Sequence, residues 1–282
     1  IPGVDDVTYY TNENIFDLRE KPDHLLIIGG GPIGMEMAQA HIRLGCKVTV
    51  IEGMKALGKD DPDAAALVLE KMRAEGIEIV EDALAEKISQ SDDTITVETS
   101  NGTFQGSHLL MAVGRKVNID KLDLDKGRVA HNRAVKVNDG LRSVTNKRVY
   151  AIGDAAGGLQ FTHVAGYHAG VIIRSMLFGL PSKQRTDHIP WVTYTDPELA
   201  QVGMTEAEAN KRYGKAAITT VRFDYSGNDR AIAQGKTDGF IKVMVKSGKP
   251  IGATIVGDQA GELIGVWALA IANGLKMGAI AN

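Results

Sequence analysis

The sequence predicts an α/β protein that closes with an α+β module. Three observations carry this. His24 to Glu52 runs strand, glycine turn, helix and strand without a break. A second helix and strand follow over Asp61 to Val80. From Trp191 onward the apolar residues alternate in hairpins and end in one apolar helix.

Residues 1–23 are a polar, turn-rich lead-in. Leu25-Leu26-Ile27-Ile28 is a short apolar run closed by glycines, the pattern of a buried strand. Gly29, Gly31 and Gly34 then spell G-x-G-x-x-G. The first glycine permits a tight turn, the second lets backbone approach a pyrophosphate, and the third lets helix pack closely on strand. Pro32 and Ile33 stand between the last two glycines, where the helix opens. Its unpaired N–H groups and dipole would face the phosphates. Ile33, Met37, Ala40 and Leu44 keep helical spacing, and Gly45 stops the helix. Lys47 to Ile51 alternates as a strand and ends in Glu52, about twenty residues beyond the glycines as a dinucleotide fingerprint requires. Glycine turns alone are common punctuation. Here strand, turn, helix, strand and acid fall in register, which points to a bound dinucleotide. Glu52 would accept from the adenine ribose hydroxyls and repel a 2′-phosphate, favouring NADH over NADPH. The blander alternative is a solvated acid at a strand end.

Asp61-Pro62-Asp63 supplies an N-cap, a first-turn proline and a dipole-favoured acid. That helix carries Leu67, Val68 and Met72 and ends near Gly76, before a strand at Ile77 to Val80. Thr94 to Glu98 alternates into an Asn101-Gly102 hairpin turn, and Leu109 to Val113 is an apolar strand ending at Gly114-Arg115. Short strands are expected at Arg133 to Val137 and Arg148 to Ile152, the second leading into Gly153-Asp154. A helix from about His163 to Phe178 stops at Gly179, with Pro181 beyond. Residues 182–190 read as a linker. Thr195-Asp196-Pro197-Glu198 reads as a turn entering a helix, and a helix is expected near Thr205 to Arg212. Ile241 to Val245, Gly248 and Ile251 to Val256 form a hairpin meander ahead of the final apolar helix.

At 282 residues the chain has room for about two domains. A net charge of −3 and 5% aromatic residues argue against nucleic acid and against an anionic membrane surface. The single Cys46 excludes an internal disulfide and a Cys-x-x-Cys metal site, and no metal is expected. Leu263 to Ile280, the most apolar stretch, is broken by glycines, Asn273 and Lys276, so no membrane span is expected. With no signal-peptide pattern, a cytoplasmic setting is the expectation. The chain opens Ile1-Pro2-Gly3 without methionine, and the expectation is a piece of a longer polypeptide.

Four stretches, GGGPIGMEMA, MAVGRKVN, VYAIGDAAGGLQFTHVA and WVTYTDPELAQVGMTEAEA, together resemble the flavin-dependent pyridine nucleotide-disulfide oxidoreductases. This is the group of dihydrolipoamide dehydrogenase, glutathione reductase and mercuric reductase. Phe161 to Gly166 and Trp191 to Gly203 look closest to the mercuric-reductase-like branch, while Val117 stands where the family usually has proline. The resemblance implies a Rossmann-type NAD domain with its lead-in over 1–114, a returning segment of an FAD domain over 115–185, and an α+β interface domain over 186–282 that forms a homodimer. The family's first flavin Rossmann unit, its C-x4-C redox pair and its C-terminal His-Pro tail have no counterpart here. No catalytic residue is therefore expected in this chain.

The resemblance also implies residue roles. Gly114 and Arg115 would lie against the nicotinamide end. Glu36 would pair with a lysine beside the flavin, although a first-turn acid also simply complements the helix dipole. Gly153 and Asp154 would hold the ribityl chain, and Phe161, Thr162 and His163 would open the helix that points at flavin N1/O2. His168 reads as structural. The function implied is hydride transfer from NADH to FAD, then to a cysteine pair and a disulfide, metal or other small-molecule substrate. The competing readings are an NADH oxidase, peroxidase or transhydrogenase, or a catalytically incomplete nucleotide-binding and dimerisation fragment.

Overall fold

The computed structural model describes residues 1–281; Asn282, the last position of the expected interface domain, lies outside the described residues. The chain divides into two compact units, one of Ile1–Gly114 with Pro190–Asn282 and the other of Arg115–Ile189.

The first unit opens with β1 (His24–Ile28), α1 (Pro32–Arg43), β2 (Lys47–Ile51), α2 (Pro62–Ala74) and β3 (Glu78–Val80). After them come β4 (Ala85–Ser91), β5 (Thr94–Thr99), β6 (Gly102–Gly106) and β7 (His108–Met111). A parallel sheet runs β3-β2-β1-β7, with Leu25 opposite Val48 on one side and His108 on the other. β4-β5-β6 form a separate antiparallel sheet. The apolar run of β1 is explained by burial on both faces. Leu25 and Ile27 pack with Met35, Val48, Val50 and Leu110, while Leu26 and Ile28 pack with Ile88, Ile95, Val97 and Leu109. Cys46 is buried in the first of these clusters, and burial pushes its thiol pKa up.

In the second unit the main element is α3 (Thr162–Phe178), stopped by Gly179 in the left-handed region. The strands expected at Arg133 to Val137 and Arg148 to Ile152 are corrected to isolated bridges, His131 with Val135, Val137 with Ser143 and Arg142 with Tyr150. A ladder needs a continuous extended partner, and within this unit none aligns with either segment beyond those single pairs. Ile119, Val129, Val135 and Ala151 make its small core.

The first unit resumes with β8 (Pro190–Thr193), β9 (Glu198–Gly203), α4 (Glu206–Tyr213), β10 (Thr219–Asp224), α5 (Asp229–Gln234), β11 (Phe240–Lys246), β12 (Lys249–Gly257), α6 (Ala260–Asn273) and α7 (Met277–Ala281). The sheet is antiparallel throughout, ordered β10-β11-β12-β9-β8. The Thr195 to Glu198 turn contains a cis Asp196–Pro197 bond and enters strand β9, not a helix. The helix begins later, at the Thr205–Glu208 capping box. The final apolar stretch is two helices, because Gly274 takes φ +60° and caps α6. Leu199, Phe240 and Val256 join the Leu25 and Ile27 cluster, so the C-terminal sheet and the parallel sheet share a core. No helix among the described residues is long and apolar enough to cross a membrane.

Candidate functional site

The glycine turn sits at the carboxyl edge of β1, where open parallel sheets bind their ligands. Each glycine has a separate cause. Gly29 has φ +111°, and a Cβ there would lie 2.5 Å from the Ala112 carbonyl oxygen of the neighbouring strand end. A Cβ on Gly34 would lie 1.9 Å from the Gly29 carbonyl oxygen, so helix and turn touch through that residue. Gly31 differs. Its backbone is extended, at φ −77° and ψ −179°, a conformation open to any residue, and its absent Cβ meets nothing within 4 Å. Neither backbone conformation nor packing among the described residues calls for glycine there.

Pro32 opens α1 at its first position and Ile33 follows, with Gly31 as an N-cap that offers no side-chain acceptor. Asp61, Thr205 and Asn228 cap α2, α4 and α5 through their side chains, whereas α1 starts without such a cap, as α3 and α6 do. An anion at α1 would receive those N–H groups.

Glu52 ends β2 facing this turn. Its Oε2 accepts from Gly30 N at 2.7 Å and its Oε1 from Met54 N at 2.9 Å. A carboxylate has about four lone-pair sites, so two backbone bonds orient it and leave capacity for a vicinal diol. The sequence reading missed Gly30. A Cβ on it would stand 2.9 Å from the Ala56 Cβ and 3.1 Å from the Glu52 Cβ, and its carbonyl accepts from Leu57 N at 2.9 Å. The signal was the middle glycine of Gly29-Gly30-Gly31, a position the spacing pattern leaves undetermined.

Glu36 lies one turn into α1 and accepts from Tyr194 N at 2.9 Å. On the same face Gln39 exchanges bonds with Asp196 backbone at 2.7 and 2.9 Å, and Arg43 reaches Glu75 at 2.7 Å and Asp196 at 2.9 Å. Helix α1 thus holds the segment that follows β8. Gly114, just past β7, has φ +121° and is exposed.

The second unit gathers the other group of expected residues. Gly153 has φ +55°, donates its N–H to His168 Nδ1 at 3.1 Å, and could carry no Cβ without meeting the Ala165 Cβ at 2.9 Å. Burial lowers the His168 pKa, which keeps the ring neutral and its Nδ1 an acceptor. Asp154 projects from the adjoining short 3-10 turn and is exposed. Phe161 caps α3 in extended conformation, and its ring stacks on that of His163 with centroids 5.5 Å apart. Thr162 is exposed in the same first turn, and Arg115 donates to the Gln160 carbonyl just before it. The exposed Asp154 carboxylate can accept from hydroxyl groups, and a helix start without a side-chain cap can face an electronegative group. Among the described residues no group of three or more His, Cys, Asp or Glu is placed to hold a metal ion.

Residues 1–169 match the family model for pyridine nucleotide-disulphide oxidoreductases, and residues 189–282 match that for the dimerisation domain of the same proteins. The chain is 34% identical to a mercuric reductase of Bacillus cereus, over 99% of this chain and 45% of that protein. It is equally 34% identical to a dihydrolipoyl dehydrogenase of Bacillus subtilis, over 93% of this chain and 58% of the relative. Among solved structures it resembles a Cu(II) complex of the HOCl-induced flavoprotein disulfide reductase RclA from Escherichia coli. The TM-score is 0.90 and the identity 28%, covering 100% of this chain and 66% of that one. The chain therefore spans about half the length of the curated relatives it matches.

Proposed function

The chain belongs to the pyridine nucleotide-disulphide oxidoreductase family, and from that premise we propose that it carries the pyridine-nucleotide half of an NADH-dependent flavoprotein reductase. Gly29, Gly31, Pro32, Ile33 and Gly34 hold the pyrophosphate, and Glu52 holds the adenine ribose. The observation that carries this is Gly31, whose missing side chain answers to nothing within the protein. Glu52 also supports NADH over NADPH, since a fixed carboxylate repels a 2′-phosphate. Gly114 and Arg115 border the nicotinamide end. Gly153, Asp154, Phe161, Thr162 and His163 receive the ribityl chain and N1/O2 edge of FAD. The exposed apolar end of α3, with Ile173, Met176, Leu177 and Phe178, is then covered by the part of the flavin domain that lies outside this match.

When bound, NADH and FAD supply hydride transfer, with the electrons passing to a cysteine pair and a disulfide or metal acceptor. This chain's own residues bind and orient; its one cysteine, Cys46, is buried and takes no part. That single cysteine also favours the second reading for the chain by itself, a nucleotide-binding and dimerisation module without turnover. The purified chain should bind NADH, retain little FAD and reduce no disulfide. Absorbance in the flavin region and an NADH turnover assay with added FAD test this. A yellow preparation with stoichiometric flavin, or turnover without the cysteine pair, would overturn it.

A further inference from the structure

The C-terminal sheet sends one charged side chain into the shared core. Along β11, Phe240, Lys242 and Met244 face one way and Ile241, Val243 and Val245 the other, and Phe240 and Lys242 meet the nucleotide-binding half. Lys242 is 4% exposed. Its ammonium donates to both oxygens of Asp61 at 2.9 Å and to Asp63 Oδ2 at 2.7 Å, with Glu206 Oε2 at 3.6 Å. Arg222, opposite Lys242 in the β10–β11 ladder, lies over the Phe240 ring and reaches Asp63 at 3.6 Å. Next to this, Trp191 Nε1 donates to Asp60 at 3.3 Å.

A buried ion pair is a poor stabiliser compared with apolar packing, but it fixes which residues face each other. What it fixes here is the end of a particular loop. Asp61 is 1% exposed and is the N-cap of α2, accepting from Asp63 N and Ala64 N. The loop behind it, 53–61, begins at Glu52 and lies on the glycine turn. Leu57 N donates to Gly30 O, Ala56 fills the space a Gly30 side chain would take, and Leu57 is held at φ +51°. One end of the loop is set by Glu52 and the other by Asp61. Lys242, Arg222 and Trp191, from the C-terminal half, make the polar contacts that reach the second end and the helix start across the core, with Lys242 alone of the three bonding Asp61 among the described residues.

We propose that Lys242 is a positioning residue for nucleotide binding: by clamping Asp61 and Asp63 it holds loop 53–61 against the glycine turn and so presets the adenosine side of the site. This rests on the nucleotide reading of that site, but the loop's order is measurable without any nucleotide. If the loop is competent in about a tenth of molecules once the clamp is lost, the apparent Kd rises about tenfold.

The test uses the 282-residue chain and its Lys242→Met and Asp63→Asn variants. Hydrogen exchange without ligand reads the amides of Met54, Ala56 and Leu57 against those of β1. Calorimetry then measures ADP-ribose and, separately, nicotinamide mononucleotide. Lys242→Met should speed exchange in the loop while leaving β1 unchanged, and should weaken ADP-ribose about tenfold with the mononucleotide unaffected. Asp63→Asn, which keeps the N-cap, the Asp61 partner and the longer Glu206 contact, should fall between wild type and Lys242→Met and serves if Lys242→Met does not fold. Unchanged loop exchange in a folded variant overturns the proposal, as does equal weakening of both half-ligands. A wild-type chain that ignores ADP-ribose while the variants loosen the loop would leave the clamp standing and remove the nucleotide reading.

Discussion

At the scale of single residues, chemistry and packing ask for different things at neighbouring positions of the glycine turn. Gly29 and Gly34 are required by the fold, since their side chains would meet backbone at 2.5 and 1.9 Å. Gly31 is required by neither its backbone nor its packing, which is why the nucleotide reading rests on it. Glu52 has a structural part besides its proposed one, because its two backbone bonds staple the turn to the following loop. Replacing Glu52 with Arg should therefore weaken NADH and favour NADPH. The loss of charge-assisted hydrogen bonds is worth about 1.5–3 kcal/mol. Fluorescence titration of both nucleotides checks this, and a wild-type preference for NADPH would remove the assignment. Gly29, Gly31, Gly34 and Glu52 were all legible in the sequence, because their spacing encodes a local unit. Lys242 was not. It sits in an alternating strand, far along the chain from Asp61, and only the tertiary fold brings its charge to an N-cap.

At the scale of elements, local rules succeeded where a segment makes its own partners. The Asp61 cap, the helix start at Thr205 and the Gly179 stop all appear where the residues place them. They failed where pairing is decided elsewhere. Arg133 to Val137 has the composition of a strand but finds no ladder in its unit, whereas the largely polar Ala85 to Ser91 becomes β4 because β5 lies beside it. The contact of α1 and α2 with each other and with the turn after β8 is polar and titrates. The Arg43 guanidinium holds the Glu75 carboxyl below its ordinary range, and Lys242 does the same for Asp63. A carboxyl with a depressed folded pKa contributes fully above its unfolded pKa, and the contribution is lost as pH falls through the folded value. Thermal stability should thus be insensitive to these two groups near neutrality and decline below about pH 4. The slope of Tm against pH in that window should be shallower in Glu75→Gln, and an unchanged slope would separate the ion pair from the acid transition.

At the scale of the whole molecule, the helix that ends the sheet carries two apolar faces. Ile264 and Ile271 of α6 pack on their own strands, while Leu263, Val266 and Leu269 stand 41%, 56% and 62% exposed, spaced three apart on another face. An uncovered stripe of this kind on a dimerisation domain fits a two-fold contact between copies. Sedimentation should show a dimer at micromolar concentration and a monomer for Leu269→Glu; a monodisperse wild-type monomer would contradict it. Gly31→Ala decides whether the glycine turn beside Glu52 is kept open for a dinucleotide. Its backbone is already in a region alanine adopts and its new methyl meets no atom of the protein. The measurement is the NADH dissociation constant alongside Tm for that one substitution. The Tm should stay within the range of ordinary surface changes, about ±0.5 kcal/mol in stability, and NADH binding should weaken at least tenfold. Wild-type NADH affinity in a stably folded Gly31→Ala protein would contradict it.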